Sequence, residues 1–423
     1  MLGMNTYLHR TIEPALQKYA EFFKVVLVTG PRQCGKSTLL AATFPRHRKV
    51  VFDPVLDLYG ARSDPDLFLD NFPPPLILDE VQYVPELLAA IKRRVDSMEG
   101  SGHYLLTGSQ NLAVLRSVAE SMAGRVGILE LGPMTLKEME GRGLEGPSVF
   151  DAWLAGDGAT LPDLDSGQGA RSESGLLADG LARVLWRGTM PGILDAPDEL
   201  VPAIHDSYAS TYVERDIRSA ASIRDVGEFG RFLRLAAALD GQEINFSQLG
   251  RELGIRPDTS RRWLDLLAMS YQWFELSPWS GNTIKRLSGR PKGHFADSGL
   301  ACRLLGIGSP EALASNPKAG ALFESFVVQQ LRRKMFASGI RPDLYHWRSS
   351  GGAEADLVIY RDGKLLPVEA KYKSMPEGRD ARGIVAFRDT YPEICAPTGL
   401  IVHAGTKTWP LNASTLALSV WDL

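Results

Sequence analysis

"KVVLVTGPRQCGKSTLL", residues 24–40, joins an apolar run to a loop holding two glycines, a lysine and two hydroxyls. A buried strand has little use for such an ending unless the loop receives something. Gly30, Gly35, Lys36 and Ser37 fill the fixed positions of the pattern G-x-x-x-x-G-K-[ST], with a strand-like run before and a helix former after. In that setting the glycines let successive N–H groups turn inward on an anion. Lys36 adds positive charge near the β and γ phosphates, and Ser37 offers a hydroxyl to Mg²⁺. The stretch therefore predicts ATP or a similar triphosphate, with Gly30, Pro31, Arg32, Gln33, Cys34, Gly35, Lys36, Ser37 and Thr38 around its phosphates.

Around this loop, the first 135 residues alternate short apolar runs with helical spacing. "KVVLVTG", "RKVVFD", "PLILDE", "HYLLTGS" and "GRVGILEL" read as buried parallel strands, and "KSTLLAATF", "PDLFLDNF", "PELLAAIKRRVDSM" and "NLAVLRSVAESMAG" as the helices between them. Such alternation implies a doubly wound α/β sheet with its ligand at the carboxyl ends of the strands. The third run ends in Asp79 and Glu80, and an acidic pair closing a buried strand is costly unless something uses it. Asp79 is expected to hold Mg²⁺, directly or through water, and Glu80 to polarise the water that attacks the γ phosphate. At the end of the fourth run, Ser109 or Asn111 is placed to hydrogen-bond that phosphate and report its loss.

The whole chain has 423 residues, enough for two or three domains, and its 44% hydrophobic and 23% charged composition is ordinary for a soluble protein. A net charge of −3 exerts no global pull on nucleic acid, so any such contact has to come from local basic patches. Cys34, Cys302 and Cys395 lie far apart and form neither a disulfide framework nor a zinc pattern. The first residues lack a secretory apolar run, and no stretch approaches eighteen apolar residues, so a cytoplasmic location without a membrane partner is expected.

"GPRQCGKST", "LILDEVQ", "LLTGSQN" and "ESMAGRV" together resemble the AAA+ family of ATPases. More narrowly they are similar to its prokaryotic branch, in which the ATPase core precedes a C-terminal domain of unknown function; "YVERDI" and "HWRSSGGAEADLVIY" carry that part of the resemblance. The resemblance implies a homo-oligomeric ring, a hexamer by preference, with ATP at each interface and a neighbour supplying an arginine. It assigns that role to Arg125 and a second nucleotide-sensing role to Arg215. The chain is expected to divide into a core at 1–140, a flexible Gly/Ser/Asp/Pro-rich insertion at 141–180 that the resemblance does not cover, a helical lid at 181–224, a module at 225–298 and a tail at 299–423.

The module at 225–298 reads as a winged helix-turn-helix: "FSQLGRELG", a turn at "GIRPD", a helix from Thr259 to Met269, then aromatic strand-like residues. Thr259, Arg261 and Arg262 open the second helix, while Trp263, Leu264, Leu266 and Leu267 read as core. Lys285, Arg286, Arg290 and Lys292 follow without an acidic residue, as in a wing that touches DNA phosphates.

In the tail, "GGAEADLVIYRDGKLLPVEAKYK" reads as two strands joined by an Asp-Gly turn. Asp356 lies on the first strand, Glu369 and Lys371 share a face of the second, and Glu324 on an upstream helix adds a carboxylate. This set resembles the PD-(D/E)XK nuclease fold, in which Glu324, Asp356 and Glu369 would hold a metal and Lys371 would position the nucleophile. Cleavage, or a nuclease-like fold kept for binding alone, are both open to these residues. The leading reading is an ATP-driven motor that remodels or translocates DNA, branched DNA included. The alternative is a nucleotide-state switch in signalling or defence whose C-terminal half makes protein contacts.

Overall fold

Five apolar runs form one parallel sheet: β1 (Val25–Thr29), β2 (Arg48–Val51), β3 (Leu76–Asp79), β4 (Tyr104–Gly108) and β5 (Val126–Glu130), in the order β2-β3-β4-β1-β5. This computed structural model describes residues 7–108, 122, 124–159, 180–213, 226–282, 284, 286, 289–339, 341 and 343–423. Every residue of β1 is buried, because alternate side chains serve opposite faces. Val25 and Leu27 pack with Phe68 and Leu69 of α3 (Pro65–Asn71) and Leu87, Leu88 and Ile91 of α4 (Pro85–Ser97). Val26 and Val28 pack with Ile12, Leu16 of α1 (Glu13–Phe22) and Leu39 and Leu40 of α2 (Lys36–Thr43). Both faces are thus covered, as a parallel sheet requires. The helix expected at "NLAVLRSVAESMAG", together with Ser109, Asn111, Arg215 and Lys285, lies outside or almost entirely outside the described residues.

The insertion expected at 141–180 is in part an ordered element. Val149–Ala155 form α5, opened by a reciprocal cap between Ser148 and Asp151. Phe150 and Trp153 of this helix have no exposed surface, and Trp153 Nε1 donates to Thr398 O at 3.2 Å. The glycine- and serine-rich flanks hid a two-aromatic buried face; residues 160–179 lie outside the described residues. Helices Leu181–Arg187 and Val201–Tyr208 follow.

The second half is built on a nine-stranded sheet in the order β13-β14-β12-β11-β10-β9-β7-β8-β6. Its members are β6 (Gln242–Glu243), β7 (Trp273–Pro278), β8 (Lys292–Phe295), β9 (Asp343–Arg348), β10 (Glu354–Arg361), β11 (Lys364–Lys371), β12 (Gly399–His403), β13 (Trp409–Asn412) and β14 (Thr415–Ser419). Helices α6 (Phe246–Leu253) and α7 (Pro257–Met269) stand before the antiparallel pair β7–β8. β7 then pairs in parallel with β9, which welds that pair to the strands of the tail. The β10–β11 hairpin turns at Asp362 and Gly363, with φ of 48° and 81°; two positive φ values in succession suit an Asp-Gly turn.

Helix α8 (Ala319–Ala337) bridges the halves. Arg332 pairs with Glu130 at 2.8 Å, and buried Arg333 donates to Met134 O at 3.0 Å and Thr189 Oγ1 at 2.9 Å. Burial pushes the Arg333 guanidinium down to about 10.

Candidate functional site

The loop between β1 and α2 needs its glycines. At Gly30 a Cβ would stand 1.9 Å from the carbonyl oxygen of Leu131, and Gly35 turns into α2 at φ 95°. Lys36 is buried and folds back over the loop, its Nζ donating to Gly30 O at 3.0 Å and Pro31 O at 2.7 Å. Behind the loop, buried Arg10 donates to Cys34 O and Gly132 O, each at 2.8 Å, and its Nε faces Glu138 at 3.1 Å. Arg32 donates to the Tyr83 hydroxyl at 3.0 Å, while Gln33 and Thr38 face solvent.

Topology sets the acidic pair opposite this loop. Ser37 Oγ donates to Asp79 Oδ1 at 2.7 Å, Lys49 Nζ lies 3.0 Å from Asp79 Oδ2, and the Thr107 hydroxyl also donates to Asp79. Burial raises the Asp79 carboxyl, but Thr107, Ser37 and Lys49 outweigh it and hold the group below the ordinary aspartate range. A hydroxyl and an ionised carboxylate in contact at the loop's mouth are the donors Mg²⁺ takes beside a triphosphate, so these residues fit the ion. Glu80 has φ 62°, uncommon for a non-glycine residue, and its N–H donates to Thr107 Oγ1 at 3.0 Å. Gln82 donates to its carboxylate. Because β4 runs between β1 and β3, Gly108 ends between the loop and the acidic pair.

Arg125 lies at the other edge of the sheet. Its carbonyl accepts from Val25 N at 3.2 Å, at the start of β1, whereas the loop leaves the end of β1. Its half-exposed guanidinium pairs with Asp96 at 2.5 Å.

In the second half, α7 buries Trp263, Leu264, Leu266 and Leu267 and exposes Arg261 and Arg262, with Arg256 exposed at its N-cap. Arg286 lies over the Trp279 ring at 4.3 Å. Lys292, expected on the wing surface, is instead 6% exposed and points into the carboxylates of the tail. Its Nζ lies 2.5 Å from Glu324 Oε1 and 3.3 Å from Asp356 Oδ1. The strand alternation explains the difference: Lys292 shares its face with buried His294, and Gly293 between them lies under Trp273.

Three further carboxylate oxygens are engaged. Asp356 Oδ2 accepts from Ala370 N at 2.9 Å, Glu369 Oε1 from Ile384 N at 3.0 Å, and Glu369 Oε2 from Lys371 Nζ at 2.7 Å. The pairing of β10 with β9 shifts register between Ala355 and Val358, and Asp356 is buried within that stretch. Burial pushes Glu369 up to about 7 against the pull of Lys371. Burial raises Glu324 well above the usual range and Asp356 adds to it, with Lys292 opposing; Asp356 itself is raised by burial but drawn below its ordinary value by Lys292 and Lys371. The four tail residues are neighbours, yet among the described residues no three His, Cys, Asp or Glu side chains are arranged to hold a metal ion. A divalent ion does not fit this cluster as it is paired.

Arg10, Lys49, Thr107 and Lys292 were not singled out for these positions by sequence. Thr107 had the nearest signal, two residues before Ser109 in "LLTGSQN"; Arg10 and Lys49 had none beyond their charge. Among the described residues no helix is long and apolar enough to cross a membrane.

Residues 22–140 match the family described as an AAA domain, residues 178–311 a domain of unknown function (DUF8612), and residues 319–423 a domain of unknown function (DUF4143). The Walker-type ATPase paby2304 of Pyrococcus abyssi has 15% identity, with 70% of this chain and 96% of that one covered at a TM-score of 0.46. The Thermotoga maritima RuvB Holliday junction branch migration motor has 18% identity, 62% and 88% coverage, and a TM-score of 0.29. At these scores neither likeness carries an argument about this chain. Uncharacterized protein Rv2008c of Mycobacterium tuberculosis and Uncharacterized protein Mb2031c of Mycobacterium bovis are each 30% identical over 397 residues, 93% of this chain and 79% of theirs. The chain therefore belongs to the family of these two mycobacterial proteins, and its residues 22–140 are an AAA-type ATPase domain.

Proposed function

We propose that this ATPase works as a homo-oligomeric ring, a hexamer by preference, which couples ATP hydrolysis to remodelling or translocation of DNA. The observation that carries the ATPase half is the contact of Ser37 with Asp79 at 2.7 Å, with Glu80 the next residue. Ser37 and Asp79 would hold Mg²⁺, which supplies charge neutralisation for the β and γ phosphates when bound. Lys36 swings from its own loop carbonyls to the phosphates. Glu80, released by Gln82, orients and deprotonates the attacking water, while Lys49 and Thr107 keep Asp79 ionised and aimed. Arg125, on the far edge of its own sheet, acts on the nucleotide of a neighbouring subunit; Arg215 and Ser109 are proposed to sense nucleotide state.

The DNA half is supported by the exposed arginines of α7, which would lie along the major groove with the β7–β8 pair as a wing on phosphates. The domains follow: core at 1–140, helical lid at 181–224, winged helix at 225–298 and nuclease-like tail at 299–423, with a cytoplasmic site of action. The experiment is the ATPase rate with and without linear duplex and four-way-junction DNA. DNA is expected to raise the rate several-fold at low salt, with the stimulation falling steeply as salt rises. An unchanged rate with every DNA form rejects the motor and leaves the nucleotide switch.

A further inference from the structure

The tail's carboxylates converge on an ammonium. Lys292 arrives from β8, outside the β10–β11 hairpin, and inserts between Glu324 of α8 and Asp356 of β10 at 2.5 and 3.3 Å. Glu369 is occupied separately, by Lys371 and by the N–H of Ile384 at the start of α9 (Arg382–Thr390). Three carboxylates therefore share two lysines, so the cationic partners of the cluster already come from within the chain. Five of the six carboxylate oxygens have a named partner. A divalent ion would have to expel the ammonium or sit beside it, and an expelled ammonium would leave a buried cation without its partners.

We propose that Lys292 permanently fills the cation position of the Glu324–Asp356–Glu369 cluster, making the C-terminal domain a metal-independent module that does not hydrolyse phosphodiesters. The cluster opens onto a cleft of about 430 Å³ whose walls carry Arg290, His346 and Arg348 together with the carboxylates Glu243 and Glu354. Solvent thus reaches the edge of the cluster, and what keeps metal out is the ammonium rather than depth. The lysine's origin on β8 also explains why the hairpin motif alone suggests a metal site: the residue that closes it lies 64 positions away from Asp356.

The test reads the metal directly. Full-length, nucleotide-free chains are titrated with Mn²⁺ and bound ion is followed by electron paramagnetic resonance, comparing wild type, Asp356→Asn, Lys292→Gln and the double variant. Wild type and Asp356→Asn are expected to take up equal Mn²⁺; Lys292→Gln gains a single ion per chain, and the double variant loses that gain. An Asp356-dependent Mn²⁺ in the wild type overturns the proposal, as does a folded Lys292→Gln chain that gains none. If Lys292→Gln does not fold, the wild-type comparison decides alone, together with incubation of linear, single-stranded and four-way-junction DNA with Mn²⁺. Any cleavage abolished by Asp356→Asn overturns the proposal; intact DNA in every form supports it. Metal uptake is independent of DNA-stimulated ATPase, so failure here is distinct from failure of the motor reading.

Discussion

Lys36 holds its ammonium on the carbonyl oxygens of Gly30 and Pro31, already desolvated and poised over the space a triphosphate would take. Removing it deletes the charge that faces the β and γ phosphates, so Lys36→Ala is expected to weaken ATP binding by about tenfold or more, while Glu80→Gln keeps affinity and loses on the order of 10²-fold or more in turnover. Fluorescent-nucleotide titration and phosphate release measure the two; a Glu80→Gln chain hydrolysing at the parent rate removes Glu80 from the base role. These residues were legible because loop and acidic pair are each local in sequence. Lys49 and Thr107 were not, because each reaches Asp79 from a different strand, and a lone Lys or Thr on a strand carries no spacing signal. Arg10 braces the loop from 24 residues upstream of Cys34, which no motif records.

At the junction of α8 with β8, Asp240, Ser325 and His294 form a buried polar chain. Ser325 Oγ donates to Asp240 Oδ1 at 2.8 Å and lies 2.8 Å from His294 Nδ1, while Phe295 N donates to Asp240 Oδ1 at 2.8 Å. Burial raises the Asp240 carboxyl to about 7 and lowers His294 well below its ordinary value. A carboxyl raised in the folded chain binds more protons there than when unfolded, so its contribution to stability is full below pH ~4 and is lost as pH rises through about 7. Asp240→Asn keeps the acceptor and removes the charge. Its melting temperature relative to wild type is expected to climb between pH 5 and pH 8; a constant offset across that range removes Asp240 as the source. At this scale the five parallel strands and the Asp-Gly hairpin were readable, since their apolar runs and turn residues are contiguous. Helix α5 was not: Gly and Ser on both sides gave the segment a linker's composition, and only Phe150 and Trp153 disclose its buried face. Lys292 misled for a related reason, as an acid-free basic run reads as surface until the strand's alternation sends one of its members inward.

In the whole molecule, Arg125 and the nucleotide loop occupy opposite edges of one sheet, separated by the length of β1, roughly 13 Å at the usual strand rise. Placed so, Arg125 stands away from its own nucleotide loop, as the proposed role in trans requires. Arg125→Ala is expected to lower hydrolysis by about 10³-fold with nucleotide affinity kept. Mixing it with Glu80→Gln subunits should restore part of the activity, because some interfaces then pair an intact Glu80 with an intact Arg125. No recovery in well-mixed oligomers removes the trans role. The parallel pairing of Ser277 with Tyr345 and Pro278 with His346 has a mechanical consequence. Because one hydrogen-bonded ribbon runs from β6 to β13, the arginine face of α7 and the cleft beside Lys292 ride on a single beam. Under the motor proposed above, a partner gripped at both places would span a constant length, and a power stroke would rotate or lift that beam without stretching what it holds.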